Sequence, residues 1–432
     1  MSPLLISLLG FIGLFVLIAL HVPIGIAMAL TGVVGFAMFV GWDPALSLLA
    51  SEPASTMANL DLAVIPLFML MGSLATAAGL AGDIYATAQA LIGHRRGGLA
   101  ATTVVASAGF GAISGSGVAT TATFGRVALP EMLERGYAPS IAAGSVAAGG
   151  TLGIIVPPSG IMILYAVLTE QSVLNLFTAA LVPAALSVVL YLVAIRVTAA
   201  MNPSLAPGTE KLPWRARVRA LGRAWRVAVL AALVMGGIYS GIFTVNEAAS
   251  IGVVVAFVFA VASRRMNLRA FLRVLAEASA TTVMIYIMVF GATIFSYFVA
   301  VSGASTQMID WIGGLGLPPL GVIFALLLLY VLLGAVFDEV ASMVITLPLV
   351  VPLILSFGYD LVWWGVVNIA VIGIGMITPP IGINVMLLGS LRRDIRLRTI
   401  YRGILPFLCA DLVRLALLVL FPVITLWLPS VL

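Results

Sequence analysis

Two stretches of this chain carry the same set of backbone breaks. Residues 111–165 contain Ser114-Gly115-Ser116-Gly117 and, further on, Pro157-Pro158. Residues 333–387 contain Pro379-Pro380 at the matching place, a shift of 379 − 157 = 222. Under that shift and without gaps, Pro130 meets Pro352, Gly136-Tyr137 meets Gly358-Tyr359, and Gly153 meets Gly375. Gly160-Ile161 likewise meets Gly382-Ile383. Glycine and proline matches weigh more than leucine matches, because each marks a backbone event. The spacing predicts an internal duplication.

The breaks interrupt apolar runs, and composition says what surrounds those runs. The chain has 432 residues, 62% hydrophobic and 9% charged. Soluble domains carry about 25% charged residues, so this is an integral membrane protein throughout. Long apolar runs suit helices; a membrane barrel would alternate over roughly ten residues per strand. The net charge of +5 fits cytoplasmic loops rich in Lys and Arg and no nucleic acid. The single cysteine, Cys409, excludes an internal disulfide and a cysteine-built metal site, and reads as a small core residue. Residues 1–20 lack the basic start of a secretion signal and read as a retained first span.

The expected fold class is an all-α polytopic membrane protein. The first repeat, residues 1–200, has spans at 2–20, 23–41, 61–80 and 174–197, an interfacial arm at 45–60 and a broken helix at 139–168. A basic cytoplasmic linker, 201–225, follows. The second repeat, 226–432, has spans at 226–241, 245–262, 280–300 and 408–428, an arm at 264–277 and a broken helix at 361–388. Residues 98–134 and 319–357 remain, and charge decides them. If 98–134 crossed the bilayer, Arg95 and Arg96 would lie opposite Arg126 and Arg135, against the positive-inside bias. A re-entrant hairpin keeps all four on one side. Residues 301–319 and 356–361 hold no Lys or Arg, so the second hairpin enters from the other face and turns near 337–339. Five spans plus one re-entrant helical hairpin per half make an inverted repeat with both termini outside, which is periplasmic if the chain sits in a bacterial inner membrane. Within a span, Arg414 snorkels or pairs with Asp411, three residues before it.

Backbone that leaves a helix at membrane depth must be buried in protein or line a wet cavity. Two hairpin tips meeting near the midplane beside broken helices form a transporter plan. Half-helix N-termini suit a carboxylate, and freed carbonyls suit Na⁺. Ser114, Ser116, Thr120 and Thr121 add hydroxyls at the first tip. Asp338, Ser342 and Thr346 do so at the second, with Thr378 and Asn384 flanking the second break. Each hydroxyl has a plainer reading as a hydrogen bond to neighbouring helix backbone. Asp338 and Glu339 say more, since a carboxylate at the bilayer centre costs about 2.5–3.5 kcal/mol on insertion scales and usually faces a cavity; the alternative is that one of them caps the helix that starts there. Glu247 follows Thr244 at capping-box spacing and marks a helix start. The arginine-rich linker is a solvated face that can touch anionic headgroups.

No phosphate-binding GxxxxGK[ST] loop exists around Lys211, the sole lysine, and His21 and His94 form no cluster. The chain needs no cofactor beyond Na⁺ as coupling ion, and no nucleophile–base set marks it as an enzyme.

The segments GAISGSGVATTAT, ALPEM–GY, LGIIVPPS, GAVFDE–ITLPLVVP–GY and GMITPPIGIN resemble the large membrane subunit of tripartite ATP-independent periplasmic (TRAP) transporters, of the DctM type. GIFTVNEAA resembles that family's FTPTEAA, with Val245 and Asn246 departing. The resemblance implies a periplasmic substrate-binding protein, a small four-helix membrane subunit and Na⁺-coupled uptake of an organic acid such as a dicarboxylate or sialic acid. It implies the bacterial inner membrane and an elevator-type, ion-transporter-like fold. Carried over by position, the ion and substrate region comprises Ser114, Ser116, Thr120, Gly153, Pro157, Asp338, Ser342, Gly375, Thr378, Pro379 and Asn384. The alternative is a self-sufficient divalent-anion/Na⁺ symporter of related fold.

Overall fold

A computed structural model describes residues 3–211, 213–264 and 266–431. Ser2, the start of the expected first span, and Arg265 of the second arm lie outside the described residues. Among those described there is helix and no strand. The first half runs α1 (Pro3–Ala19), α2 (Ile24–Val40), α3 (Trp42–Ala58), α4 (Val64–Ala77), α5 (Leu80–Ile92), α6 (Gly98–Ser114), α7 (Gly117–Glu134), α8 (Pro139–Ile155), α9 (Gly160–Leu168) and α10 (Val173–Met201). The connection holds α11 (Trp214–Arg223). The second half runs α12 (Trp225–Ala231), a π turn, α13 (Gly237–Tyr239), α14 (Val245–Ala262), α15 (Leu268–Ser302), α16 (Ala304–Gly314), α17 (Pro319–Val336), α18 (Glu339–Ser356), α19 (Leu361–Gly375), α20 (Ile383–Leu391), α21 (Leu397–Leu420) and α22 (Val423–Val431).

The shift of 222 recurs in these bounds. Added to α7 it gives 339–356, the bounds of α18. Added to α6 it gives 320–336 and to α2 246–262, each within one residue of α17 and α14. Both Pro-Pro bonds are cis. Gly136 and Gly358 both take left-handed φ, 79° and 73°, and both stop their helix the same way. The Tyr137 N–H donates to Met132 O and the Tyr359 N–H to Ile354 O, closing carbonyls that the helix end leaves open.

The ends of the first hairpin touch. The Leu99 N–H donates to Tyr137 Oη at 3.1 Å, so the chain leaves beside where it entered. In the second hairpin the hydroxyls of Tyr330 and Thr346 lie 2.5 Å apart, about equally far along the chain from the turn between α17 and α18.

The core is built on the two broken helices. Every residue of α8 from Ile141 to Ile155, and of α19 from Val362 to Gly375, is buried. A helix apolar on all faces belongs inside. Small residues on α8 let neighbours come close: a Cβ on Gly144 would meet Gly403 O at 2.2 Å. Membrane helices pack through such contacts. One ionic cluster crosses this core. Arg414 Nη2 lies 2.9 Å from Asp411 Oδ1, with both side chains buried. Arg414 also donates to Ser187 Oγ at 2.9 Å and Ala370 O at 3.2 Å, and Tyr191 Oη donates to Asp411 Oδ2 at 2.8 Å. Arg414 therefore pairs and does not snorkel.

Several sequence expectations need correction. The second arm and the next span, expected as 264–277 and 280–300, form one helix, α15. Its 35 residues extend about 52 Å at 1.5 Å each, and no Gly or Pro lies where the arm was to end. The expected third span, 61–80, stops at Ala77; the chain bends 65° there into α5, with Gly79 left-handed at φ 80°. The last span begins at Leu397 and ends at Leu420, before Pro422. Cys409 is exposed, on an outward face of α21. The linker carries α11. The Thr244–Glu247 capping box forms as expected.

Candidate functional site

At the first tip, α6 ends because Gly115 turns left-handed, φ 60°. The Ser116 hydroxyl accepts the Ala119 N–H at 3.3 Å and so caps α7. Thr120 donates to Ser116 O at 2.8 Å, and its hydroxyl lies 3.1 Å from that of Ser114. Gly153 of α8 sits directly behind: a Cβ there would lie 2.6 Å from both Ser116 O and Thr120 Oγ1. Pro157 and Pro158 stop α8, since proline supplies no N–H. The first N–H of α9, on Gly160, then donates to Gly115 O at 3.3 Å. The tip thus closes a backbone group that the break opens. Ser159 is fully buried, and its hydroxyl has no partner among the described residues.

The second tip repeats the arrangement. Asp338 caps α18, accepting the Ala341 N–H at 2.8 Å. Ala335 O accepts both the Ile381 and Gly382 N–H groups, at 3.2 and 3.0 Å. Gly375 lies against Gly334, where a Cβ would meet Gly334 Cα at 2.6 Å. Thr378 donates to Ile374 O at 2.6 Å. Asn384 reaches across to the first half, donating to Ala147 O at 3.2 Å. Ser342 is buried with its hydroxyl unpartnered among the described residues. The halves differ in one respect: Pro157 and Pro158 are buried, whereas Pro379 and Pro380 are exposed.

A cavity of about 430 Å³ lies between the tips, α4 and the long helix α15. Its wall includes Ser114, Ser116, Gly160, Asp338 and Glu339. The first turns of α7, α9 and α18 all reach it, so three helix N-termini converge there. The Glu339 carboxyl of the second tip lies near the Gly117 N–H of the first, with its Oε2 buried and unpartnered among the described residues. Of the predicted set, Ser114, Ser116 and Asp338 line the cavity. Thr120, Gly153 and Pro157 stand immediately behind the first tip. Ser342, Gly375, Thr378, Pro379 and Asn384 do not line it. A larger cavity, about 510 Å³, lies apart between α3, α9, α15 and α18, and neither hairpin tip nor either Pro-Pro break lines it. The smaller cavity holds the chemistry that needs explaining.

The chain matches the family model of the "Tripartite ATP-independent periplasmic transporter, DctM component" over residues 11–424. The chain belongs to this family. DctM membership makes it a membrane transporter component and not an enzyme. It is 33% identical to the C4-dicarboxylate TRAP transporter large permease protein DctM of Pseudomonas aeruginosa, covering 90% of this chain and 93% of that one. It is 31% identical to the sialic acid TRAP transporter large permease protein SiaM of Vibrio cholerae, covering 86% and 87%. The fold is similar to that of the Alcanivorax borkumensis YdaH transporter, with a TM-score of 0.61, 19% identity and coverage of 89% and 90%.

Sequence reasoning missed the far wall of this DctM cavity. Ser73 and Thr76 of α4, and Glu277 and Thr281 of α15, face the tips. Glu277 and Thr281 are four apart and share a helix face. That spacing was readable, but only once α15 was known to run through the end of the expected arm.

Proposed function

We propose that this DctM-family chain is the large permease subunit of a TRAP system, moving an organic acid across the bacterial inner membrane on a Na⁺ gradient. The carrying observation is the convergence of three helix N-termini and both hairpin tips on one cavity. N–H groups and the positive helix ends favour a carboxylate there. The relatives named for dicarboxylate and sialic acid support an acid as cargo. Na⁺ takes oxygen ligands, and the Ser114, Ser116 and Thr120 group, the Asp338 carboxyl and the Ser342 hydroxyl offer them at the two tips. A secreted binding protein delivers the acid, and a small four-helix subunit flanks the helices that face lipid. The hairpins and broken helices move together against α4 and α15 in an elevator step, exposing the cavity to one face and then the other.

Proteoliposomes containing this chain and its small subunit test the reading. With the binding protein and an inward Na⁺ gradient, labelled acid accumulates. Full-rate uptake by this chain alone, without a binding protein, points to the self-sufficient symporter and ends the proposal.

A further inference from the structure

The connection between the halves carries a basic surface that lies outside the candidate cavity. In α11 the Ala220 carbonyl accepts the Thr87 hydroxyl of α5 at 3.0 Å, which fixes the side facing the protein. Trp214, Val218 and Leu221 follow at steps of four and three and form one stripe on α11, and Trp225 stands at the start of α12. They are 75, 51, 49 and 56% exposed. The chain bends by 40° after α11 and continues into α12 and the first span of the second half. The stripe therefore lies where the chain enters the bilayer. Arg215 and Arg219 lie on one side of it and Arg223 about opposite, and none of the three makes an ion pair among the described residues. Arg226, by contrast, is engaged by Asp83.

A second observation adds a niche. Two guanidinium nitrogens of Arg217, Nε and Nη2, are buried without a hydrogen-bond partner, and so is His94 Nδ1. The linker is pinned there: Thr209 donates to Gly93 O at 2.9 Å, and the Gly97 N–H donates to Ala206 O at 3.0 Å. Desolvation first, then the charges of Arg217, Arg95 and Lys211, hold the His94 imidazole below its ordinary value. Glu210 is the sole acid between residues 206 and 226, and it is exposed. Guanidinium nitrogens shut off from water without partners call for an anion. Amphipathic helices with a basic flank and exposed Trp lie in the headgroup plane.

We infer that α11 lies on the bilayer surface and that the niche at Arg217 and His94 binds the phosphate of an anionic phospholipid. The apolar stripe enters the acyl boundary, and Arg215 and Arg219 beside it face the headgroups.

Native mass spectrometry of the full chain in detergent, titrated with phosphatidylglycerol or with phosphatidylcholine of the same acyl chains, tests this. Phosphatidylglycerol is retained preferentially, and each of Arg217→Gln and Arg219→Gln lowers that preference about fivefold, the weight of one basic residue at an anionic surface. Arg219 is exposed and unpaired, so its variant keeps the test open if Arg217→Gln folds poorly. Brominated phosphatidylglycerol in nanodiscs quenches a fluorescence component that Trp214→Phe removes. Equal retention of the two lipids, or unchanged preference in both variants, overturns the inference. Displacement of phosphatidylglycerol by inorganic phosphate, with Trp214 unquenched, overturns it too and assigns the niche to a free anion.

Discussion

Asp411 and Arg414 form an ion pair at 2.9 Å with neither side chain reaching solvent. Around it, Tyr191 and Ser187 come from α10 and the Ala370 carbonyl from α19. Thr151 of α8 joins through Tyr191 Oη at 3.0 Å. The cluster thus ties together both broken helices, one from each half. Breaking a buried pair strands a charge and costs about 3–5 kcal/mol. Arg414→Gln or Asp411→Leu should therefore lower stability strongly. The double change to Asp411→Leu with Arg414→Met should recover most of it, because no charge is then left unpaired. Denaturation of the purified protein in detergent reads both.

Gly153 allows no side chain where it meets the first tip. An added methyl would lie 2.6 Å from the Ser116 carbonyl, which is backbone and cannot swing aside. Gly153→Ala should cost about 1–3 kcal/mol of strain and displace the Ser114–Thr120 pair. Uptake should fall while the protein still elutes as a single folded species. Wild-type uptake kinetics in this variant would detach the tip geometry from function.

Ser116 and Asp338 each cap a helix and line the cavity. A hydrogen bond or ligand to a charged group is worth roughly 1.5–3 kcal/mol, or about tenfold and more in affinity. Ser116→Ala and Asp338→Ala should raise the Na⁺ concentration for half-maximal uptake by about that factor, with assembly less affected. Unchanged Na⁺ dependence in both variants removes these residues from ion binding.

Much of this was legible in sequence because Gly and Pro dictate backbone events directly. Pro157-Pro158 and Pro379-Pro380 located both breaks, and Gly136 and Gly358 both hairpin ends. Asp411, three residues before Arg414, announced its pair. The misses came where no residue marks the event. Nothing in residues 277–280 distinguishes an arm that ends from one that runs on, so α15 was cut in two. Ser342, Thr378 and Asn384 carry the right atoms, but which side of a helix faces the cavity depends on packing between halves. These three stand off the cavity wall, whereas Glu277 lines it and was overlooked for the same reason.

Thr244→Ala removes the capping box that starts α14. The Thr244 hydroxyl accepts the Glu247 N–H at 3.3 Å, and the Glu247 carboxylate accepts the Thr244 N–H at 2.8 Å. Its loss should cost about 0.5–2 kcal/mol and leave uptake kinetics alone. A transport defect without loss of stability would give Thr244 a role beyond the helix end.

Everything above rests on two hairpins that dip inward from opposite faces and return. In a Cys409→Ser background, which removes the exposed native thiol, four exposed positions at the hairpin ends can each be made the sole cysteine: Arg96→Cys, Glu134→Cys, Leu317→Cys and Ser356→Cys. A membrane-impermeant thiol reagent should reach the first two from one face only and the last two from the other face only. Labelling of Arg96→Cys and Glu134→Cys from opposite faces, or of all four variants from the same face, would contradict the account.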